Sequence, residues 1–400
     1  MANRLFLPIR QFNFLSKYAA RSYHDYVRAP TKVGGMMRIP LNSPKVIGVV
    51  NSRGNRSHQE DFYGFATLNL NPEELKASLK ASHGVSWHPT DPLLAGQVLF
   101  LGLYDGHGGS AVAQYLRQEL HGLLESVDKA LIPELYTWIT HEVGGYFKRF
   151  KGGALAPWIQ GSSEQIMTLE ARATLAFFEV DRTLSMDDTA LTCGATASVA
   201  ILQSLDAPTT PFFSAERLAL TVAHCGDTRV ILCSTQDGSP FAMTETHHAD
   251  AHVESTRLRK MMGSSLITDS YGESRWMGAL ANTRCLGDLH YKKFGVTPEP
   301  EVRTKLLQGG DWAFMVMVSD GISSILSDGE IVDLARGAKD PKTAAERILA
   351  FSEELGGEDN ATAIVVPFSG WGKVAGPDHT KELREYRSRQ AVGSERQRRM

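Results

Sequence analysis

Acidic residues recur in this chain where short apolar runs enter or leave turns marked by Gly or Asn. Five such places are Gln59 to Phe65, Val98 to Gly109, Leu218 to Thr228, Phe314 to Gly321 and Glu358 to Val366. Carboxylates at strand ends can gather hard divalent cations and still leave room for water and a phosphate group. The pattern therefore predicts a metal-dependent hydrolase.

The apolar runs also predict the elements that position these carboxylates. Four runs are short and almost wholly apolar, so we expect strands covered on both faces. They are Val98 to Tyr104, Leu218 to Ala223, Phe314 to Val318 and Ala361 to Val366. Helices are predicted over Ser110 to Ser126, Ser163 to Leu184, Asp328 to Arg336 and Pro341 to Leu355. Because strands and helices do not alternate strictly, we predict an α+β fold, a four-layer α-β-β-α sandwich with a central pair of antiparallel sheets flanked by helices.

Composition narrows the class of protein. With 400 residues, 42% hydrophobic content and a net charge of -3, the chain has ample material for a core. The near-neutral charge gives no reason to expect nucleic-acid binding, and no apolar run reaches the roughly 18 residues of a spanning helix. The four cysteines show neither paired spacing nor a CxxC, which predicts reduced, mostly buried thiols and no zinc site. They are Cys193, Cys225, Cys233 and Cys285.

The two ends of the chain differ from its middle. Residues 1 to 30 are rich in Arg and Lys with interspersed Phe and Ile, which is typical of a mitochondrial transit peptide. A disordered basic tail is the alternative. Residues 376 to 400 mix basic and acidic side chains with almost no apolar ones, which predicts a solvated helix or a disordered tail. Between them, residues 45 to 368 are expected to form one catalytic domain.

Seven motifs in order carry a specific resemblance. They are RGNRSHQED (Arg53 to Asp61), LYDGHGG (Leu103 to Gly109), GATASVAIL (Gly194 to Leu202), CGDTRVIL (Cys225 to Leu232), GALANTRCLGD (Gly278 to Asp288), SDGI (Ser319 to Ile322) and EDNATAIVV (Glu358 to Val366). The series resembles the metal-dependent protein serine/threonine phosphatases of the protein phosphatase 2C family. That resemblance implies the same layered sandwich, with a metal site in a cleft at one edge.

The resemblance implies two Mg²⁺ or Mn²⁺ ions held by oxygen ligands, and a metal-activated water as nucleophile. Asp105 would bridge the ions, and Asp320 and Asp359 would complete one coordination shell. The carbonyl of Gly106 and, through water, Glu60 would serve the other ion. Asp61 would orient the attacking water. The alternative is that each acidic residue beside Gly or Asn only makes a turn.

Two further residues match the family's substrate-handling positions. Arg56, four residues before Glu60, would grip the phosphate, although Arg53 in the same motif competes for that role. His107 would protonate the departing serine or threonine oxygen, the alternative being a structural histidine.

The chain departs from the family at Ser324, where a second aspartate usually follows Asp320 and helps Asp227 to hold a third ion. A hydroxyl is a far weaker ligand for a hard cation, so a third ion is doubtful and Asp227 is either a metal ligand or a turn residue. Asp288 is expected near the cleft with a structural role.

The stretch Thr246 to His252 alternates His248, Asp250 and His252, which on a strand would suggest a separate transition-metal site. An exposed loop is favoured instead. The following helix, Glu254 to Met262, is expected to present a basic face with Arg257, Arg259 and Lys260 to acidic or phosphorylated substrate.

The sequence thus predicts a protein serine/threonine phosphatase, expected to be a monomer in the mitochondrial matrix. Its substrates would be phosphoserine and phosphothreonine proteins, with a mitochondrial 2-oxo acid dehydrogenase subunit as first candidate by analogy with mitochondrial relatives. Two alternatives stay open: a pseudophosphatase that binds without catalysis, and a hydrolase of a small phosphorylated metabolite.

Insertions at Leu68 to Gly96 and roughly Pro133 to Gln165 are expected on the surface.

Overall fold

The computed structural model describes residues 24–31, 33–161, 163–259, 266–268 and 274–391. Most of the predicted leader, residues 1–23, lies outside these ranges, as do residues 392–400. Within them, no helix has both the length and the apolar character that crossing a bilayer requires.

The secondary structure follows the predicted order. The strands are β1 (Tyr26–Pro30), β2 (Met36–Pro40), β3 (Gly48–Ser52), β4 (Asp61–Asn69), β5 (Gln97–His107), β6 (Gly194–Ser204), β7 (Arg217–Cys225), β8 (Arg229–Ser234), β9 (Pro240–Ala242), β10 (Leu266–Thr268), β11 (Ser274–Trp276), β12 (Leu286–Gly287), β13 (Glu301–Gln308), β14 (Trp312–Val318) and β15 (Ala361–Pro367). The helices are α1 (Pro72–His83), α2 (Ala111–Ser126), α3 (Ile132–Thr137), α4 (Leu169–Leu184), α5 (His252–Arg259), α6 (Leu289–Lys292), α7 (Asp320–Ser323), α8 (Asp328–Ala335), α9 (Pro341–Glu354) and α10 (Lys381–Ala391).

Two antiparallel sheets form the centre. One runs β13-β7-β6-β5-β4, with β12 added beside β6, and the other runs β3-β15-β14-β8-β9. Helices α2 and α4 pack on the first sheet, and α8 and α9 pack on the second. The predicted four-layer α+β sandwich is therefore confirmed.

Both faces of the central strands are buried, as the continuous apolar runs predicted. In β5, Leu101 and Leu103 belong to the core between the sheets, whereas Phe100 and Tyr104 belong to the core beneath α2 and α4. This alternation follows from the two-residue period of a strand. The four cysteines are likewise buried and free.

Helix starts are fixed by local hydrogen bonds. The Thr168 side chain accepts from Ala171 N, so α4 begins at Leu169, later than the predicted Ser163. Ser327 and Glu330 form a reciprocal capping box at the start of α8. These caps set the helix ends more sharply than hydrophobic periodicity can.

The two predicted surface insertions instead contribute to the core. Leu75 and Leu79 of α1 are buried, and so is Trp87 in the segment that follows it. In the second insertion, short helical turns bury Phe147 and Trp158 against the α4 layer. The insertions therefore lie on the outside of the first helix layer, but they are partly helical and pack apolar side chains against it instead of forming loops alone.

Both termini add structure outside residues 45 to 368. Strands β1 and β2 pair with each other, and His24 pairs with Thr67 of β4. At the other end, α10 buries no residue but is attached to the second helix layer through Arg387, which donates to Glu330 and to the carbonyl of Ile325. The predicted C-terminal helix is thus present through Ala391.

Candidate active site

The acidic residues of distant motifs meet at one end of the sandwich because the strands that carry them are antiparallel neighbours. Asp61 opens β4 directly opposite Asp105 in β5. Asp320 follows β14, and Asp359 precedes β15, its neighbour in the second sheet. Asp227 lies in the turn between β7 and β8.

Four of these five carboxylates, all but that of Asp61, line a cleft of about 430 Å³. Its lining residues are Arg56, Asp105, His107, Thr196, Asp227, Arg275, Ala279, Leu280, Ala281, Asn282, Asp320 and Asp359. Strand ends from both sheets therefore contribute to one polar cavity.

The centre of the cleft concentrates negative charge. Burial, and then repulsion from Asp320 and Asp61, holds the pKa of Asp105 well above its ordinary range. Burial together with repulsion from Asp227 raises the pKa of Asp320 to about 7, and Asp105 and Asp320 share a hydrogen bond. Without a cation, such a group of carboxyls retains protons to relieve the repulsion.

Asp61 is held in one orientation from behind. Ser319 Oγ and Thr362 Oγ1 donate to its Oδ2 at 2.7 and 2.8 Å. Its other oxygen, Oδ1, is buried and has no protein partner among the described residues. Burial raises the pKa of Asp61 to about 6 despite these two hydrogen bonds.

The donor set fits a hard divalent cation. All the converging groups offer oxygen, and a positive ion would relieve the repulsion that raises the pKa values of Asp61, Asp105 and Asp320. The unpartnered oxygens of Asp61 and Asp227 are the kind of buried acceptor that a cation satisfies.

Glu60 and Gly106 lie side by side, next to Asp61 and Asp105, but neither lines the cleft. Gly106 N donates to the Glu60 carbonyl at 3.2 Å, and a Cβ on Gly106 would come within 2.6 Å of that oxygen. Glycine is therefore required here by close backbone packing. Asn360 Oδ1 accepts from Glu60 N at 2.6 Å, which ties this segment to the turn that carries Asp359.

Arg56 reaches the cleft and Arg53 does not line it. The Arg56 guanidinium pairs with Asp359 at 2.5 Å, and 60% of its side chain remains exposed. Arg53 is exposed, and its carbonyl accepts from the Asn360 side chain. Of the two arginines in the motif, Arg56 is therefore the one placed to contact a phosphate in the cleft.

His107, at the end of β5, forms a hydrogen bond from Nε2 to Asp288 Oδ2 at 2.5 Å. Burial would lower the pKa of His107, but the Asp288 carboxylate outweighs it and the net shift is upward. Sequence reasoning placed Asp288 near the cleft without finding this partner, since the two residues are 181 positions apart.

Asp227 pairs with His248, Nε2 to Oδ2 at 3.2 Å, and also with Asn282. Burial opposes ionisation, but these partners hold the pKa of Asp227 below its usual value. Sequence reasoning missed His248 as a neighbour of the cleft.

The predicted loop around His248 is a loop, and α5 begins at His252, so the alternating strand needed for a separate His-Asp-His site is not formed. Ser324, where the family's extra aspartate would stand, is exposed at the end of α7.

Of the three basic residues expected to face substrate, Arg257 does not line the cleft, and the side chains of Arg259 and Lys260 lie outside the described residues. Arg257 donates to Glu254 at 2.7 Å and to the Gly295 carbonyl, while Arg284 also pairs with Glu254. The Glu254 carboxylate is buried, so both arginines are used to neutralise it. Arg275, in β11, lines the cleft.

Comparisons with known proteins identify the family of the chain. Residues 73–361 match the family model of protein phosphatase 2C. The chain is 30% identical over 376 residues to protein phosphatase 2C homolog 4 of Schizosaccharomyces pombe, which covers 92% of this chain and 91% of that protein. It is 32% identical over 286 residues to the mitochondrial protein phosphatase 1K of Xenopus laevis. That match covers 70% of this chain and 63% of the Xenopus protein.

The fold of the chain is also similar to that of a solved phosphatase structure. The crystal structure of serine-threonine phosphatase 2C from Toxoplasma gondii superposes with a TM-score of 0.54 at 16% identity, covering 88% of this chain and all of that one. The family model spans well over half of the sequence, and the layered sandwich matches. The chain therefore belongs to the protein phosphatase 2C family of metal-dependent serine/threonine protein phosphatases.

Proposed function

We propose that this phosphatase hydrolyses phosphoserine and phosphothreonine by direct attack of water in the cleft lined by Asp105, Asp320 and Asp359. The observation that carries the proposal is the convergence of carboxylates from both sheets on one open polar cavity, with an arginine and a histidine at its edge. Because no cysteine or serine of the chain is needed as nucleophile, the reaction proceeds without a covalent intermediate.

Two Mg²⁺ or Mn²⁺ ions are the proposed occupants of the site. Asp105 would contribute to both, Asp320 and Asp359 to one, and the Gly106 carbonyl and Glu60 to the other. When bound, such ions supply positive charge to the phosphate and make a water easier to deprotonate. Asp227 is engaged by His248 and Asn282, and Ser324 is exposed, which supports the expectation of a weak or absent third ion.

The chain's own side chains would orient water and substrate. Asp61 is fixed through Oδ2 by Ser319 and Thr362, so its free Oδ1 can accept a hydrogen bond from the attacking water. Arg56 can bind two phosphate oxygens with its planar guanidinium after leaving Asp359. His107 would give a proton to the serine or threonine oxygen as it departs.

Arg56→Ala should mainly raise KM for small phosphate esters, by about 10-fold to 100-fold, because one charge-assisted contact with the phosphate is lost. The measurement is steady-state kinetics on p-nitrophenyl phosphate. Arg53→Ala is the matched control, since Arg53 lies in the same motif but does not line the cleft. An unchanged KM in the Arg56 variant, or an equal rise in both, would remove the phosphate-binding role.

We also propose that the protein acts in mitochondria, in the matrix, as a monomer. Support comes from the basic amphipathic composition of residues 1–30 and from the similarity to the mitochondrial phosphatase of Xenopus laevis. A phosphorylated 2-oxo acid dehydrogenase subunit is the first candidate substrate, by analogy only.

Substrate class can be tested with manganese-dependent phosphate release from phosphoserine peptides and from sugar phosphates. We expect the peptides to be hydrolysed at least about 10-fold more efficiently, since the cleft is open and polar rather than enclosed around a small ligand. A reversed preference would favour the metabolite hydrolase. A protein that binds phosphopeptide but releases no phosphate would be the pseudophosphatase, and activity that survives a chelator would contradict the metal mechanism.

A further inference from the structure

The hydrogen bond between His107 and Asp288 points to a function for Asp288. We propose that Asp288 is a positioning residue, which holds the His107 imidazole in the tautomer and orientation needed to protonate the leaving oxygen. This inference rests on the proposed function, in which His107 is the proton donor. The Asp288 side chain is 1% exposed and that of His107 is 35% exposed, so the imidazole joins a buried carboxylate to the open cleft.

The geometry assigns different tasks to the two ring nitrogens. Nε2 is taken by Asp288 Oδ2 at 2.5 Å, which leaves Nδ1 to meet the substrate. The doubly protonated ring donates a hydrogen bond from Nε2 to Asp288 and presents the Nδ1 proton to the seryl oxygen. After Nδ1 has lost its proton, the neutral ring keeps hydrogen on Nε2, which is the tautomer that a carboxylate acceptor stabilises.

The proposed step balances. A bond forms between the water oxygen and phosphorus, and the bond between phosphorus and the seryl oxygen breaks with its electron pair on that oxygen. The seryl oxygen takes the Nδ1 proton. The proton released by the attacking water returns to solvent, and solvent reprotonates Nδ1, so Asp288 remains ionised throughout.

A glycine in β6, Gly194, leaves space for the side chains of His107 and Asp288 to meet. Gly194 of β6 lies opposite His107 in β5 and opposite Gly287 in β12. A Cβ on Gly194 would lie within 2.6 Å of His107 Nε2 and closer still to Asp288 Oδ2. Only glycine therefore leaves room for the two side chains to touch above this strand.

The turn that carries Asp288 is strained and firmly held. Asp288 has φ of 49°, in the left-handed region that a non-glycine residue rarely adopts. Its N–H donates to the Cys193 carbonyl at 3.0 Å, and Gly287 N donates to Asp181 Oδ1 at 2.8 Å. Lys292, fully buried, pairs with Asp181 and donates to the Cys285 carbonyl, which closes the turn from the other side. Strain kept in place by buried polar contacts is typical of functional sites.

A metal site made by the same side chains is a weaker explanation. His107, Cys285 and Asp288 bring ligand atoms within 4.8 Å of one another. Two ligands of one ion, each about 2.1 Å from it, would however be separated by about 3 Å or more. The 2.5 Å between Nε2 and Oδ2 is too short for two ligands of one ion and indicates a direct, short hydrogen bond between the imidazole and the carboxylate.

The test compares the activity of Asp288→Asn with that of wild type on two substrates in the presence of manganese. The leaving oxygen of a phosphoserine peptide needs a proton, whereas the leaving group of p-nitrophenyl phosphate scarcely does. We expect kcat on the peptide to fall about 10-fold to 100-fold, at least 10 times more than kcat on the activated ester, with little change in KM. The double variant His107→Ala with Asp288→Asn should be no slower than His107→Ala alone, because both changes disable one function. The matched control is Asp333→Asn, a buried carboxylate paired with Arg336 in the other helix layer, which should affect both substrates alike.

Equal losses on the two substrates, or multiplicative losses in the double variant, would overturn the inference while the proposed function stands. Failure of wild type to release phosphate from either substrate would instead remove the proposed function itself. If Asp288→Asn does not fold, long-range proton-nitrogen NMR of wild type decides the question. The inference requires the His107 ring to carry its proton on Nε2 when it is singly protonated, and a proton on Nδ1 alone would contradict it.

Discussion

Asp105→Asn should abolish phosphate release and, at the same time, make the protein more stable when divalent ions are withheld. The activity loss, at least about 10³-fold, follows because Asp105 is the proposed ligand common to both ions and their charge stabilisation is worth several kcal/mol. The stability gain follows because burial, with repulsion from Asp320 and Asp61, already disfavours an ionised Asp105, as its raised pKa shows. A neutral amide of the same shape removes that penalty, by about 1 to 2 kcal/mol.

The measurement pairs manganese-dependent hydrolysis with urea unfolding at pH 7.5, each in the presence of a chelator and of manganese. Manganese should stabilise wild type and have a much smaller effect on the variant. Asp237→Asn is the control, since Asp237 is an exposed aspartate remote from the cleft. A variant that is less stable than wild type without metal would show that Asp105 is a structural acceptor, and retained activity would refute the site.

Arg172→Met should lower the free energy of unfolding by about 3 to 5 kcal/mol, because it leaves the buried Glu74 carboxylate without its counter-ion. Arg172 in α4 makes two hydrogen bonds to Glu74 in α1, at 2.6 and 2.9 Å. It also donates to the carbonyls of Leu124 and Val127 at the end of α2. One guanidinium thus joins α1 to α4 and to the end of α2, the two helices that pack on the first sheet.

Urea unfolding of the variant, compared with Lys76→Met in α1, measures the effect. Lys76 is the control because its partner Glu73 is 58% exposed, so its removal leaves no buried charge. Adding Glu74→Gln to Arg172→Met should recover part of the lost stability, since no unpaired charge is then buried. If the single variant loses less than about 1 kcal/mol, the ion pair contributes no more than an exposed one.

The sequence was sufficient to predict the strands and the carboxylates at their ends, because both depend on the local pattern of apolar and acidic residues. Val98 to Tyr104 and Phe314 to Val318 are strands because apolar, β-branched runs of that length are buried on both faces. Acidic residues at their ends then had to meet, since antiparallel neighbours place one strand's end beside the next strand's start. Asp105, Asp320 and Asp359 lie around one cleft for this reason.

Sequence reasoning could not find partners that only the three-dimensional packing brings together. Asp288 approaches His107 because β12 adds to the edge of β6, and a strand of two residues leaves no hydrophobic pattern to detect. His248 reaches Asp227 from a loop, where side-chain direction has no periodicity. Arg257 was misassigned because its buried partner Glu254 is three residues away on the same helix, a spacing that also fits an exposed basic face.

The attachment of α10 bears on where the chain can be shortened. Arg387 binds both oxygens of Glu330, the residue that caps α8, and the carbonyl of Ile325 just beyond the Asp320 turn. Asp333 on the same helix accepts from Thr380. A truncation at the last strand of the sandwich would release all of these contacts, so a catalytic fragment that keeps them extends at least through Arg387.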